Sequence, residues 1–109
     1  MAVLLLLVAQ LPVQASVDVI VSGVVTESST GAVVSGAIVK LTTCHQTFTT
    51  LSDGSGQYTL VIPNAALNGC ASADLFGSKL RSSYRATISV ASLKANPQRD
   101  IALYNYHGE

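Results

Sequence analysis

Short runs in which every second residue is apolar recur along this chain, and that period of two is the feature that most limits how it can fold. In the run QYTLVI, residues 57–62, the side chains of Tyr58, Leu60 and Ile62 occupy every second position until Pro63 ends the pattern. Successive side chains of a β-strand point to opposite faces of the sheet. The run therefore predicts a strand that buries these three side chains.

Five further segments predict strands for the same reason. Val, Ile and Thr dominate them, and clusters of Gly, Ser, Asn and Asp separate them. The segments are residues 17–26, 37–43, 46–51, 84–91 and 99–105. The side chains expected on their buried faces are Val17, Val19, Val21, Val25, Ala37, Val39, Leu41, Phe48, Tyr84, Ala86, Ile88 and Val90. Gly23 falls on the buried face of the first segment, which predicts a bulge or a close backbone approach there.

Residues 64–83 interrupt the alternation. They are rich in small residues and include two Gly, so we expect a long connection with at most a helical turn after Asn64 or Ser72. The chain sustains no helical period and contains no internal repeat. Six or seven short strands with turns between them predict an all-β domain of the β-sandwich class.

The segment TTLSDGSGQYTLVIP, residues 49–63, carries turn chemistry between two of the predicted strands. Asp53 can accept hydrogen bonds from the backbone that follows it, and Gly54 and Gly56 can adopt positive φ without a Cβ clash. We expect these three residues to form a structural turn and the flanking strands to pair as a β-hairpin. An EF-hand calcium loop would need further acidic residues and a final Glu, so Asp53 is interpreted as a turn residue.

The first 17 residues carry no charged side chain. Their apolar run, residues 2–9, is far shorter than the roughly 20 residues that a membrane-spanning helix needs. Pro12 ends the run and small residues precede Ser16, which is typical of a signal peptide, although no Lys or Arg lies ahead of the run. We predict a signal peptide at residues 1–15, one domain at 16–109, a secreted or extracytoplasmic location and no membrane span in the mature chain. A Met internal to a longer gene and a buried strand are the alternatives.

The chain has two cysteines, Cys44 and Cys70. An even number of cysteines in a small exported domain favours a disulfide, which would add roughly 3 to 4 kcal/mol of stability for a loop of this length. Two free buried thiols are the alternative, because a sequence does not show how closely the two Cα atoms approach.

Charge and motif content argue against several classes of function. Six basic and six acidic residues cancel, whereas binding to nucleic acid or to anionic lipid needs a basic cluster. A metal site needs converging ligands, but Cys44 and His45 would point to opposite faces of a strand, and His107 lies near the terminus. No G-x-S-x-G motif is present, and the acidic residues are scattered singly. We therefore expect no catalytic residue, no cofactor and no metal, and predict that the chain is not an enzyme.

The stretches VSGVVTESSTGAVVSGAIVKLTT and TTLSDGSGQYTLVIP resemble the carboxypeptidase regulatory-like domain. The resemblance spans about residues 20–103. The matching positions are Gly23–Thr26, Ser35–Ala37, Val39, Leu41, Asp53, Gly56, Tyr58, Leu60 and Pro63. The resemblance implies an all-β, seven-stranded Greek-key β-sandwich of the transthyretin-like (prealbumin-like) type. The long connection that holds Cys70 departs from this family and gives a weaker resemblance to the pollen-allergen-like secreted domains of plants.

The resemblance implies a non-catalytic exported module with a structural or protein-interaction role, whose partners are other protein domains. The first alternative is a carbohydrate-binding module, since some related sandwiches bind polysaccharide. Tyr58, Tyr84, Tyr104 and Tyr106 are the candidate contacts for a glycan or a partner. The second alternative is the accessory domain of a metallocarboxypeptidase-type protein with the enzyme elsewhere in a longer chain, since this chain has no H-x-x-E zinc motif.

Overall fold

The computed structural model describes residues 18–105, without the side chain of Asn105. The predicted signal peptide at residues 1–15 lies outside the described residues, as do Tyr106 and His107. The elements, in chain order, are β1 (Val19–Glu27), β2 (Ile38–Thr42), β3 (Thr47–Leu51), β4 (Gln57–Ile62), α1 (Asn64–Leu67), β5 (Ser72–Lys79), β6 (Ser82–Ser89), α2 (Val90–Ala95) and β7 (Ile101–Asn105). The chain is thus mostly β with seven strands, which confirms the β-rich part of the prediction.

The strands form one mixed sheet in the order β3-β2-β5-β6-β7-β1-β4. Neighbours are antiparallel except β1 and β7, which are parallel. The sheet curls until it is nearly a barrel. One sign of this curl is Gly77 of β5, where an added Cβ would lie 3.1 Å from the Ile101 side chain of β7. Since β6 separates these strands in the sheet order, that contact crosses the interior.

The core fills the inside of the curled sheet and follows the predicted alternation closely. Its fully buried larger side chains are Val21, Val25, Val39, Leu41, Ile62, Leu67, Leu75, Leu93, Ile101 and Leu103. The predicted buried face of β4 is confirmed, since Tyr58, Leu60 and Ile62 are all buried. The predicted close approach at Gly23 is also confirmed, because an added Cβ would lie 2.1 Å from the carbonyl oxygen of Arg99.

The predicted β-hairpin of residues 46–62 is wrong. Strand β3 pairs with β2 and strand β4 pairs with β1, so the two strands lie at opposite edges of the sheet. The turn chemistry at Asp53 is present, but it serves a crossing from one edge to the other. Local turn residues indicate where a chain reverses, and they do not specify which strand each flank will pair with.

The predicted long connection at residues 64–83 is also largely wrong. Its first part does contain a helical turn, α1, but residues 72–79 form β5, which pairs with β2 on one side and β6 on the other. The strand predicted at residues 84–91 ends at Ser89, earlier than expected. Ser89 caps helix α2 there, where its side chain accepts a hydrogen bond from Ser92 N at 3.1 Å.

Candidate functional site

The turn between β3 and β4 is built around Asp53. Its Oδ1 accepts hydrogen bonds from Ser55 N at 2.8 Å and from Gln57 N at 2.9 Å. Gly56 has φ +80°, and an added Cβ there would lie 2.9 Å from Val25 O. These contacts shape a turn at Asp53 and Gly56; Gly54, predicted with them, lies in the same turn but does not adopt a positive φ. The contacts commit the Asp53 carboxylate to the backbone of its own turn.

Tyr58, predicted as a candidate ligand contact, lies in the core instead. Its side chain is 2% exposed, and its hydroxyl donates a hydrogen bond to Arg99 O at 2.5 Å. Burial, and secondarily the nearby Asp100 carboxylate, raise the pKa of the Tyr58 phenol well above its usual value. The ring therefore offers no face to a glycan or a partner, and it ties β4 to the segment before β7.

The described tyrosines are not brought together on one surface. Tyr84 lies opposite Gly77 and packs, half-buried, against the core. Tyr104 lies opposite Ser83 and is 60% exposed. Of the predicted contacts within residues 18–105, Tyr104 alone is freely accessible on the outer surface.

Cys44 and Cys70 form a disulfide, with their Cα atoms 5.6 Å apart. This resolves the alternative between a bridge and two free thiols. The bridge joins the β2–β3 turn to the residues after α1. In that turn the buried Thr43 side chain accepts hydrogen bonds from the backbone nitrogens of His45 and Gln46, both at 3.1 Å.

The reason given for excluding a metal at Cys44 and His45 is wrong, because both residues lie in this turn and not on a strand. The potential ligand atoms of Cys44, His45 and Cys70 lie within 4.8 Å of one another. Both sulfurs are nevertheless bonded to each other, and the ligand that metals take from cysteine is the thiolate. His45 Nε2 in turn lies 2.9 Å from Asn68 O.

The outward side chains of β3, β2, β5 and β6 form a second feature, which we call the Phe76 face. Cross-strand register places them in two rows. The first row is Thr49, Lys40, Phe76 and Arg85, and the second is Thr47, Thr42, Asp74 and Thr87. A shallow groove of about 320 Å³ runs between Lys40, Thr42, Asp74, Phe76 and Arg85.

Phe76 lies between two cations on this face. The Lys40 Nζ atom lies 5.9 Å from the centre of the ring, and the Arg85 Cζ atom lies 5.5 Å from it. These distances are those of cation–π contacts, which hold both long side chains against the ring. Neither cation forms an ion pair with a carboxylate among residues 18–105. The arrangement can therefore receive negatively charged groups.

The polar neighbours of Phe76 are partly fixed by one another. Asp74 Oδ1 accepts a hydrogen bond from Thr87 Oγ1 at 2.9 Å, and the hydroxyls of Thr42 and Thr47 lie 3.1 Å apart. Strands β2 and β5 are paired on both sides, so the backbone groups at the centre of this face are already bonded, whereas β6 pairs with β7 only at Ser82 and Ser83. Recognition at the centre of this face must therefore use side chains.

Phe76 was not among the candidate residues predicted from the sequence. The signal was present, because Ala73, Leu75 and Gly77 alternate and put Phe76 on the opposite face. This alternation was a weak strand signal, because the inward positions of β5 include an Ala and a Gly and its largest side chain, Phe76, points outward.

Comparison of the chain with protein-family models, with curated proteins and with solved structures finds no match. The resemblance to the carboxypeptidase regulatory-like domain thus stays a prediction. Among the residues that the structure describes, no helix is long and apolar enough to cross a membrane.

Proposed function

We propose that the chain is a non-catalytic, exported β-sandwich module with a structural or protein-interaction role. The observation that carries the proposal is that the buried polar side chains are engaged in hydrogen bonds that support the fold. Every buried side-chain nitrogen or oxygen within residues 18–105 has a hydrogen-bond partner. Ser52 is an example, since its hydroxyl donates to Val34 O at 2.6 Å and accepts from Ala37 N at 2.9 Å. These buried side chains hold the loops between strands in place, so we assign the function of the module to its surface.

The strand pairing supports a two-layered arrangement of the transthyretin-like type. The link between β6 and β7 consists of two residue pairs, Ser82 with Asn105 and Ser83 with Tyr104. The sheet can be divided at this short link into β3-β2-β5-β6 and β7-β1-β4. The packing of Ile101 against Gly77 then joins the two groups through the core. This division is consistent with two sheets that face each other.

The motif positions that carry the family resemblance support a structural module as well. Gly23 admits the backbone of Arg99, Asp53 holds its turn, and the Tyr58 hydroxyl binds the same Arg99 carbonyl. Each of these residues has a role in the fold that explains its place in the motif. A disulfide, being typical of oxidising compartments, is compatible with export.

The surface beside the edge strand β3 suits a protein partner. Ile38 and Leu51 are cross-strand neighbours on the outer surface, 40% and 60% exposed. Strand β3 pairs only on its β2 side among the described strands, so its other edge can accept a further strand. This part of the molecule combines exposed apolar side chains with free backbone groups.

Site-specific photo-crosslinking tests this role. A photoreactive residue at Leu51, in the chain exported by its native host, is expected to yield one discrete crosslinked protein. The same residue at the exposed Lys94 of α2 serves as the control and is expected to yield none. Failure to obtain a discrete product from Leu51, or equal products from both positions, contradicts the protein-interaction role.

A second candidate function is carbohydrate binding, and the Phe76 face is the observation that favours it. The face is broad and hydroxyl-rich, and its centre is an aromatic ring between two cations that form no ion pair within residues 18–105. Polar hydroxyl groups with a nearby aromatic ring are suited to the alternating polar and apolar surfaces of a sugar. The candidate contacts are thereby moved from the tyrosines to Phe76, Lys40 and Arg85.

A further inference from the structure

We propose that the Phe76 face binds an acidic polysaccharide whose sugars carry carboxylates, with Lys40 and Arg85 as the carboxylate-binding side chains. This inference rests on the second candidate function above, and specifies its ligand class. Carboxylates are favoured because the two cations are not paired with acids of the described chain. Arg85 can bind a carboxylate with two parallel hydrogen bonds, and Lys40 can act as a point charge.

The spacing of the two cations fits an extended polymer. Lys40 and Arg85 lie on β2 and β6, with β5 between them, and both are register partners of Phe76. Two strand spacings separate their backbones by roughly 10 Å. A chain of uronic acids bears one carboxylate on every sugar, so it can place two of them on the two cations at once. A single small anion can use only one of them.

Phe76 positions the cations. Each cation lies over the ring, and this contact restricts the two long side chains before the ligand arrives. Less side-chain entropy is then lost on binding, so the affinity is higher than it would be with freely mobile side chains. The hydroxyls of Thr42 and Thr47 lie in the second row, where they can meet the hydroxyl groups of the sugars.

An acidic peptide fits this face less well. Extended peptides commonly bind by adding a strand to an open edge, where main-chain hydrogen bonds supply affinity. Strands β2 and β5, which carry Lys40 and Phe76, are paired on both sides and offer no such edge; β6 pairs with β7 only at Ser82 and Ser83, so its outer edge lies beside Arg85 and away from the centre of the face. Side-chain recognition of carboxylates and hydroxyls remains available, and a carboxylated glycan presents both.

The test measures binding of the oxidised exported protein to polygalacturonate by isothermal titration at low salt. Dextran is the neutral control, and polyglutamate and vesicles containing phosphatidylserine are the other acidic probes. We expect binding to polygalacturonate that weakens with added salt, and none to dextran. Equal or tighter binding to polyglutamate or to the vesicles overturns the assignment to a glycan, as does no binding to polygalacturonate.

Charge-matched variants locate the site. Lys40→Gln and Arg85→Gln are each expected to weaken binding about fivefold, and the double variant about 25-fold. Phe76→Leu keeps an apolar side chain but removes the ring, and should weaken binding with both cations present. Lys94→Gln removes the same charge from α2 and should leave affinity unchanged. An equal loss in Lys94→Gln would show binding by overall charge and would overturn the proposal.

Folding of each variant is checked by its thermal transition and by the absence of free thiols. The substituted side chains are exposed or half-buried, so the variants are expected to fold. Failure of glycan binding in folded protein removes this inference and leaves the crosslinking test at Leu51 unaffected. Absence of the Leu51 crosslink together with retained glycan binding contradicts the protein-interaction role and leaves the glycan-binding proposal supported.

Discussion

Gly23 is the residue whose replacement the fold should tolerate least. An added Cβ would lie 2.1 Å from Arg99 O and 2.6 Å from the Arg99 carbonyl carbon, and both atoms belong to the backbone. Arg99 N also donates to Ser22 O at 2.7 Å, so the two segments cannot separate without losing that bond. We expect Gly23→Ala to lower the free energy of unfolding by roughly 1 to 3 kcal/mol, measured by urea denaturation.

Gly54→Ala is the matched control for that measurement. An added Cβ at Gly54 would have no neighbour within 4 Å, and its φ is not positive. The expected change in the free energy of unfolding is within about 0.5 kcal/mol. If the two substitutions cost the same, the close approach at Gly23 does not limit side-chain size.

Tyr58 makes the free energy of unfolding depend on pH in the alkaline range. The pKa of its phenol is raised by burial, so the folded chain keeps this proton at pH values where the unfolded chain has lost it. The resulting stability is fully present below the unfolded pKa of about 10 and is lost as pH rises above it. At pH 11 the free energy of unfolding is lower by about 1 kcal/mol because of Tyr58 than it is well below pH 10.

Tyr58→Phe isolates that contribution. At pH 7 the variant leaves Arg99 O without the phenol donor and is expected to be less stable by about 1 kcal/mol. Between pH 9 and 11 its unfolding free energy should fall less steeply than that of the wild type, in urea titrations at each pH. Parallel pH profiles would contradict a buried neutral phenol.

At the scale of elements, the disulfide fixes α1 and the start of β5 to the β2–β3 turn. The bridge closes a loop with a sequence separation of 26 residues, for which restriction of the unfolded chain is worth about 3.5 kcal/mol. Replacing both Cys44 and Cys70 by Ser should lower stability by about that amount. Cys44 is exposed and Cys70 half-buried, so little packing is lost with the sulfurs.

Chemical reduction of the wild type provides the comparison for the double variant. The reduced protein and the Ser variant are expected to unfold at the same urea concentration, below that of the oxidised protein. A Ser variant as stable as the oxidised wild type would show that the contacts of the turn, such as those of Thr43, hold these elements without the bridge.

The elements that the sequence predicted well are those whose apolar residues alternate with polar ones. Strand β4 matches its predicted bounds because Tyr58, Leu60 and Ile62 all pack inward. Strand β5 was missed because its inward positions include Gly77, a residue that weakens a strand signal. That glycine is needed for packing, since Ile101 occupies the space that a side chain would fill.

At the scale of the whole molecule, strand pairing could not be predicted from local patterns. Strands β3 and β4 are consecutive and separated by a strong turn, yet they form the two edges of the sheet. The partners are decided by which strands jointly bury their apolar faces, a property of the whole sheet. The Phe76 face was missed for the same reason, because Lys40, Phe76 and Arg85 become neighbours only through two long-range pairings.

Export of the chain is the prediction that belongs to the whole protein. The Cys44–Cys70 bridge is compatible with an oxidising compartment, and the uncharged apolar start of the sequence is the pattern from which a signal peptide is predicted. We expect the mature product to begin near Ser16 and to contain no free thiol. Intact-mass spectrometry of the secreted protein should show a chain without residues 1–15 and two hydrogens lighter than the reduced form.

Alkylation without reductant completes this test, and the Cys44→Ser variant is its positive control. The wild type should take up no alkylating reagent, whereas the variant should take up one equivalent at Cys70, since its partner sulfur is gone. A wild-type product that retains residues 1–15, or one alkylated at both cysteines, would contradict export through an oxidising compartment. The same protein sample is the one required for the glycan titrations, because both measurements depend on the oxidised mature chain.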